Sequence, residues 1–143
     1  MKKTKVFVYG TLMGMRSGTF LGKAVTTDPF FMFDGGFPVV LAPNSPEAKK
    51  YAEFINPNKQ GSVVGEVYEV SDAELKYLDS YEGAPSFYEA RPTSALLFDL
   101  KAPPRDEKGS PSTVLMYHGV GVASQLNHRV QLTPNTEGRL AWR

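Results

Sequence analysis

Ser62-Val63-Val64-Gly65-Glu66-Val67-Tyr68-Glu69-Val70 runs without a break into Ser71-Asp72-Ala73-Glu74-Leu75-Lys76-Tyr77-Leu78-Asp79-Ser80-Tyr81-Glu82-Gly83. The first half reads as a strand: Val63, Gly65, Val67 and Glu69 fall on one face, and Val64, Glu66, Tyr68 and Val70 on the other. The second half reads as a helix with both ends marked. Ser71 can cap the first turn with its hydroxyl, and Glu74 can reach back to complete a capping box. Gly83 suits the left-handed residue that closes a helix, and Pro85 stops it from resuming. Leu75, Leu78 and Glu82 share one stripe at i, i+3 and i+7, while Lys76, Asp79 and Ser80 lie on the opposite, solvated face. An ionised carboxylate on an apolar stripe is costly unless it is paired, neutralised or turned to a cavity. Two readings of Glu82 follow. It is a working carboxyl group, or it is a last-turn residue pointing to solvent past the end of the core.

Towards the N-terminus, Lys5-Val6-Phe7-Val8-Tyr9 is a short apolar run that reads as a buried strand. It opens at Gly10-Thr11-Leu12 into a glycine-containing stretch to Gly22, whose backbone N–H groups can cradle a carboxylate or phosphate. Most such glycines serve a turn and nothing more. From Ala24 to Phe33 the pattern becomes strand-like only at Phe30–Phe33, then turns at Asp34-Gly35-Gly36 and returns as Phe37–Leu41. The stretch from Ala42 to Gly61 is a surface excursion with a small helix predicted from Pro46 to Phe54 behind a Ser45 cap.

Towards the C-terminus, Tyr88–Leu100 is predicted as a strand with Pro92 near its start, and Thr113–Tyr117 as another. The segment from Gly119 to Arg143 has no sustained periodicity; Val130 and Leu132 suit an edge segment, and Trp142 suits a residue that pins the tail.

The chain has 143 residues, a length that fits a single domain over 1–143 with a full core. Its 13 glycines and 11 prolines favour short β elements joined by elaborate loops. With 16 basic and 15 acidic residues there is no electrostatic case for nucleic acid or an anionic membrane. No apolar run reaches the ~20 residues of a membrane span, and the absence of cysteine fits a reducing compartment. The expectation is a cytoplasmic protein whose oligomeric state the sequence leaves open. His118 and His128 have no companion at metal spacing, so no metal site is expected. Gly119-Val120-Gly121-Val122-Ala123-Ser124 imitates a dinucleotide fingerprint, but too little chain follows for the unit that gives it meaning.

Two segments remain: Tyr9-Gly10-Thr11-Leu12 after the first strand, and Leu78-Asp79-Ser80-Tyr81-Glu82-Gly83 at the helix end. Together with Gly61-Ser62-Val63-Val64-Gly65-Glu66-Val67-Tyr68-Glu69-Val70 and Phe37-Pro38, they resemble the γ-glutamylcyclotransferase-like family, over roughly Val6 to Arg91. That resemblance implies an α+β fold, a small mixed β-barrel flanked by short helices. It also implies cyclisation of a small γ-glutamyl amine or peptide to 5-oxoproline, without metal or cofactor. The family's catalytic glutamate carries over to Glu82 and its substrate-holding loop to Tyr9, Gly10, Thr11 and Leu12; Tyr117, ending the last clear strand, joins them as a substrate-binding candidate. Thr11 looks more like the γ-glutamylamine branch than the glutathione-degrading ones. One departure stands out: the family shows Tyr-x-Arg after the helix, and this chain has Tyr88-Glu89-Ala90-Arg91. The alternative is a non-catalytic small-molecule binding module on the same scaffold.

Overall fold

The computed structural model describes residues 3–10, 18–36, 38–81, 87–98 and 109–142. Five strands close on themselves: β1 (Thr4–Val8), β7 (Ser110–Gly119), β6 (Tyr88–Phe98), β2 (Thr19–Thr26) and β5 (Ser62–Val70), with β5 pairing back onto β1. The pairing is mixed. β1 runs antiparallel to β5, Val6 opposite Tyr68, but parallel to β7, Val6 beside Leu115. β5 occupies the span read from sequence, and its inward Val63 and Val67 are fully buried.

Closure gives each strand an inner and an outer face. Phe7, Ala24, Val63, Val67, Ala95, Val114 and Met116, drawn from all five strands, pack together inside. On the outside, Val6, Val8, Tyr68, Val70 and Tyr117 pack under a hairpin and a helix. The hairpin is β3 (Phe31–Asp34) and β4 (Pro38–Leu41), with Phe33 opposite Val39, as its turn sequence predicts. The helix, α2 (Asp72–Tyr81), presses Leu78 into this outer core. Its start is the predicted capping box: Glu74 N–H donates to Ser71 Oγ at 3.2 Å, and Ser71 N–H to Glu74 Oε1 at 2.8 Å.

The excursion begins with α1 (Pro46–Lys50), where Ser45 Oγ accepts from Ala48 N–H at 3.1 Å. The predicted single helix divides there, and a 3₁₀ turn at Ala52–Phe54 follows. Near the C-terminus, a 3₁₀ stretch (Gly121–His128) buries Val122, Ala123 and Leu126 in place of the irregular tail expected. β8 (Val130–Gln131) edges β3, and β9 (Arg139–Leu140) adds to β5. Trp142 is buried and its indole N–H donates to Asp34 Oδ1 at 3.1 Å, pinning this segment to the hairpin.

One barrel strand departs from the sequence reading. β2 spans Thr19–Thr26, although only the end of Ala24–Phe33 reads as strand. Its register slips between Phe20 and Gly22, and Gly22 sits at φ +151 with a notional Cβ only 2.3 Å from Phe98 O. A bulge built around glycine lets the strand pass close to β6, but it breaks the alternation that signals a strand.

Candidate active site

At one end of the barrel, β1 delivers Tyr9 into the interior. Tyr9 is buried, and its hydroxyl donates to the backbone carbonyl of Tyr117 at 2.6 Å. Gly10 follows where a side chain has no room: a Cβ would lie 2.4 Å from Pro38 Cγ. Pro38 thus packs directly against the chain as it leaves β1 at Gly10, and Tyr88 holds Pro38 by donating its hydroxyl to Pro38 O at 3.1 Å.

Tyr117 reaches in both directions. Its carbonyl receives Tyr9, and its hydroxyl donates to Asp79 Oδ1 at 2.5 Å, a length typical of a hydrogen bond to a carboxylate. The segment after β1 and the last turn of α2 are therefore joined through one residue of β7. Asp79 is half-buried, which corrects its reading as an ordinary solvated position. Four residues beyond Leu75, Asp79 lies about 40° round the helix from it, at the edge of the apolar stripe rather than opposite it, and there it meets Tyr117 of β7. Of the candidates, Tyr9, Gly10 and Tyr117 come together here; Thr11, Leu12 and Glu82 lie outside the described residues.

The other end of α2 is tied by Glu74. Its Oε2 accepts from Gly18 N–H at 2.6 Å while Oε1 accepts from Ser71. The Ser71 backbone N–H foremost holds this carboxyl below the usual glutamate range.

One position along β7, on the opposite face, His118 is buried. Its Nε2 lies 3.3 Å from Thr93 Oγ1, and that hydroxyl is also 3.1 Å from Arg91 O. The carbonyl can only accept, so both contacts are hydrogen bonds at once only when Nε2 carries the proton. Nδ1 is then a bare acceptor, and it has no hydrogen-bond partner among the described residues. Burial first, then the positive charge of Arg91, lower the His118 pKa to about 4 against an opposing pull from Glu89. Arg91 itself bridges Glu47 of α1 at 2.8 Å and Glu89 at 3.1 Å, fastening the excursion to the barrel. The odd spacing puts Tyr88 and Arg91 on opposite faces of β6, where a Tyr-x-Arg pair would share one. His118, Thr93, Phe30 and Asn44 help to line a cavity of about 610 Å³ between excursion and barrel. Among the described residues no group of three or more His, Asp or Glu is placed to hold a metal ion.

Residues 6–132 match the family model described as gamma-glutamyl cyclotransferase, AIG2-like. The chain belongs to this family. Among curated relatives it is 30% identical, over 64% of this chain and 72% of the other, to a Methanocaldococcus jannaschii protein whose name proposes a gamma-glutamylcyclotransferase. It is 34% identical to the rat gamma-glutamylaminecyclotransferase, over 59% of this chain and 58% of the rat protein's length. Among solved structures, a mouse AIG2-like protein superposes with a TM-score of 0.66 at 23% identity, covering all of this chain and 98% of that one. At that identity the likeness shows the fold, including the closed barrel that the family resemblance implies.

Proposed function

We propose that this chain cyclises a γ-glutamyl amine or peptide to 5-oxoproline and releases the free amine. The substrate carries its own nucleophile. Its α-ammonium loses a proton to the Glu82 carboxylate, the amine nitrogen attacks the γ-carbonyl carbon, and the five-membered ring closes. The bond from that carbon to the departing nitrogen breaks as the proton on Glu82 passes to that nitrogen, and the second proton lost by the ring nitrogen follows through Glu82 to the released amine, which leaves as an ammonium. Glu82 thus ends as it began.

Holding the two ends of one molecule in position can supply roughly 7–11 kcal/mol of the barrier, and the proton transfer a further ~10²–10⁴-fold. A small, rigid site with one carboxyl group is therefore enough. The observation that carries the reading is the Tyr9–Tyr117–Asp79 connection, which fastens the strand end before the loop to the helical turn before Glu82. Backbone N–H groups of Tyr9, Gly10, Thr11 and Leu12 are assigned the substrate α-carboxylate, with Tyr117 against the substrate's flank. The name of the rat relative supports γ-glutamyl amines, such as γ-glutamyl-lysine isopeptides, as the substrate class.

The reaction is a small-molecule one in the cytoplasm on this reading; among the described residues no helix is long and apolar enough to cross a membrane. Incubation with a panel of γ-glutamyl amides, isopeptides and glutathione, followed by assay for 5-oxoproline, tests it. Higher kcat/KM for the isopeptides is expected. Faster glutathione turnover reverses the substrate class, and no 5-oxoproline from any of them removes the reading.

A further inference from the structure

The cyclotransferase reading assigns work to Glu82 and to the loop after β1, and leaves Asp79 without any. We propose that Asp79 is a positioning residue for the cyclisation, holding Tyr117 and, through Tyr117, the end of β1; this rests on that reading.

The case begins with how little apolar packing α2 has. Leu78 is its one fully buried side chain, Leu75 is partly covered, and Tyr77 and Tyr81 are exposed. A helix seated on so narrow a stripe can rock about its axis. Two carboxylates oppose this, one towards each end. Glu74 takes Gly18 N–H and Ser71 N–H near the start, and Asp79 takes the Tyr117 hydroxyl in the last turn.

The second tie differs from the first in what lies beyond it. Gly18 begins the approach to β2 and leads away from the barrel end. Tyr117 is buried, and its own carbonyl is the acceptor that fixes the Tyr9 hydroxyl. A buried phenol deprived of that carboxylate loses its charge-assisted hydrogen bond to the helix. On this proposal the ring then shifts, and the β7 backbone that carries the Tyr9 contact shifts with it. On the cyclotransferase reading the substrate is held by the backbone at the end of β1 rather than by Asp79, so Asp79 acts through Tyr117 and its bond to Tyr9. In a reaction that depends on orientation, a misplacement of about 1 Å can cost ~10²-fold in rate. A buried tyrosine also needs a partner for its own stability, so the two roles have to be separated by measurement.

Four variants of the full chain do so: Asp79→Ala, Tyr117→Phe, their double mutant and Asp79→Asn, each assayed with the γ-glutamyl amide that the wild type turns over best. Asp79→Ala and Tyr117→Phe are each expected to lower kcat about tenfold with KM within about threefold. The double mutant is expected to be no slower than the worse single one, because both remove the same hydrogen bond. Asp79→Asn keeps an acceptor and is expected to recover most of the loss. In parallel, the Tyr9 ring and Gly10 amide resonances are expected to move in folded Asp79→Ala. Unmoved Tyr9 and Gly10 signals, wild-type kcat in folded Asp79→Ala, or single losses that multiply in the double mutant overturn the proposal. If Asp79→Ala does not fold, Tyr117→Phe, which leaves α2 intact, decides by the same measurements. Wild-type protein that yields no 5-oxoproline overturns the cyclotransferase reading instead, and the Tyr9 signals still report whether Asp79 sets the end of β1.

Discussion

Tyr117 and His118 are neighbours on β7, and the barrel sends them to opposite faces with opposite fates. On the outer face the Tyr117 hydroxyl meets a carboxylate at 2.5 Å and its carbonyl meets Tyr9 at 2.6 Å. On the inner face His118 has one weak contact at 3.3 Å and a bare Nδ1 among the described residues. One polar group is fully engaged in holding two segments together. The other is kept neutral by burial and has no hydrogen bond on its second nitrogen among the described residues. Orientation at the barrel end thus lies with the outer face, and sensitivity of the fold to acid lies with the inner one.

The largest effect is expected of Glu82→Gln, which tests the reaction proposed for the barrel end. The amide keeps the volume but cannot accept and return a proton, so kcat is expected to fall by about 10²-fold or more, with fold and substrate affinity little changed. Thermal denaturation beside steady-state kinetics checks this; near wild-type turnover in a folded variant refutes the proton shuttle.

The inner half makes its prediction through pH. His118 has a folded pKa of about 4, below the ordinary 6.5, so the unfolded chain binds the proton more readily between those values. Stability is expected to be flat above about pH 6.5, to fall as pH drops towards 4, and to lose on the order of 1–3 kcal/mol across that window. Denaturant unfolding of wild type and His118→Leu between pH 7 and pH 4 checks it. A wild-type curve with the same slope as the variant removes His118 as the cause.

The smallest effect belongs to the far end of α2. Ser71→Ala removes the cap, and stability is expected to fall by about 1 kcal/mol, measured by the same unfolding curves, while kcat holds. A matching loss of turnover would mean that the start of the helix shapes the site as much as its last turn does.

These regions also differ in how readable they were. β5, the β3–β4 hairpin and the Ser71–Glu74 box rest on alternation or on contacts within a few residues, and the chain displays them openly. The same locality explains the Ser45 cap on α1. β2 was hidden because its bulge at Gly22 interrupts the alternation on which a strand reading depends. Barrel closure came only from family resemblance, since no local pattern says that β1 pairs parallel to β7. The Asp79–Tyr117 hydrogen bond was out of reach for the same reason: the partner of Asp79 is 38 positions away, on a strand whose course the helix does not encode. His118 was considered only as a metal ligand, and its environment depends on Thr93 and Arg91 from another strand.

The parallel pairing of β1 with β7 has a consequence for how the molecule comes into being. As the chain leaves the ribosome, β1 can pair with β5 once the middle of the sequence is out, but its other edge stays open until β7 arrives. Contacts of such long range close slowly, because loop entropy is lost before they reward it. The Tyr9–Tyr117 bond spans 108 positions and forms in that same late event. A nascent or truncated chain without β7 lacks the partner of Tyr9, so the barrel end where Tyr9 meets Tyr117 is assembled only when the ring of strands shuts.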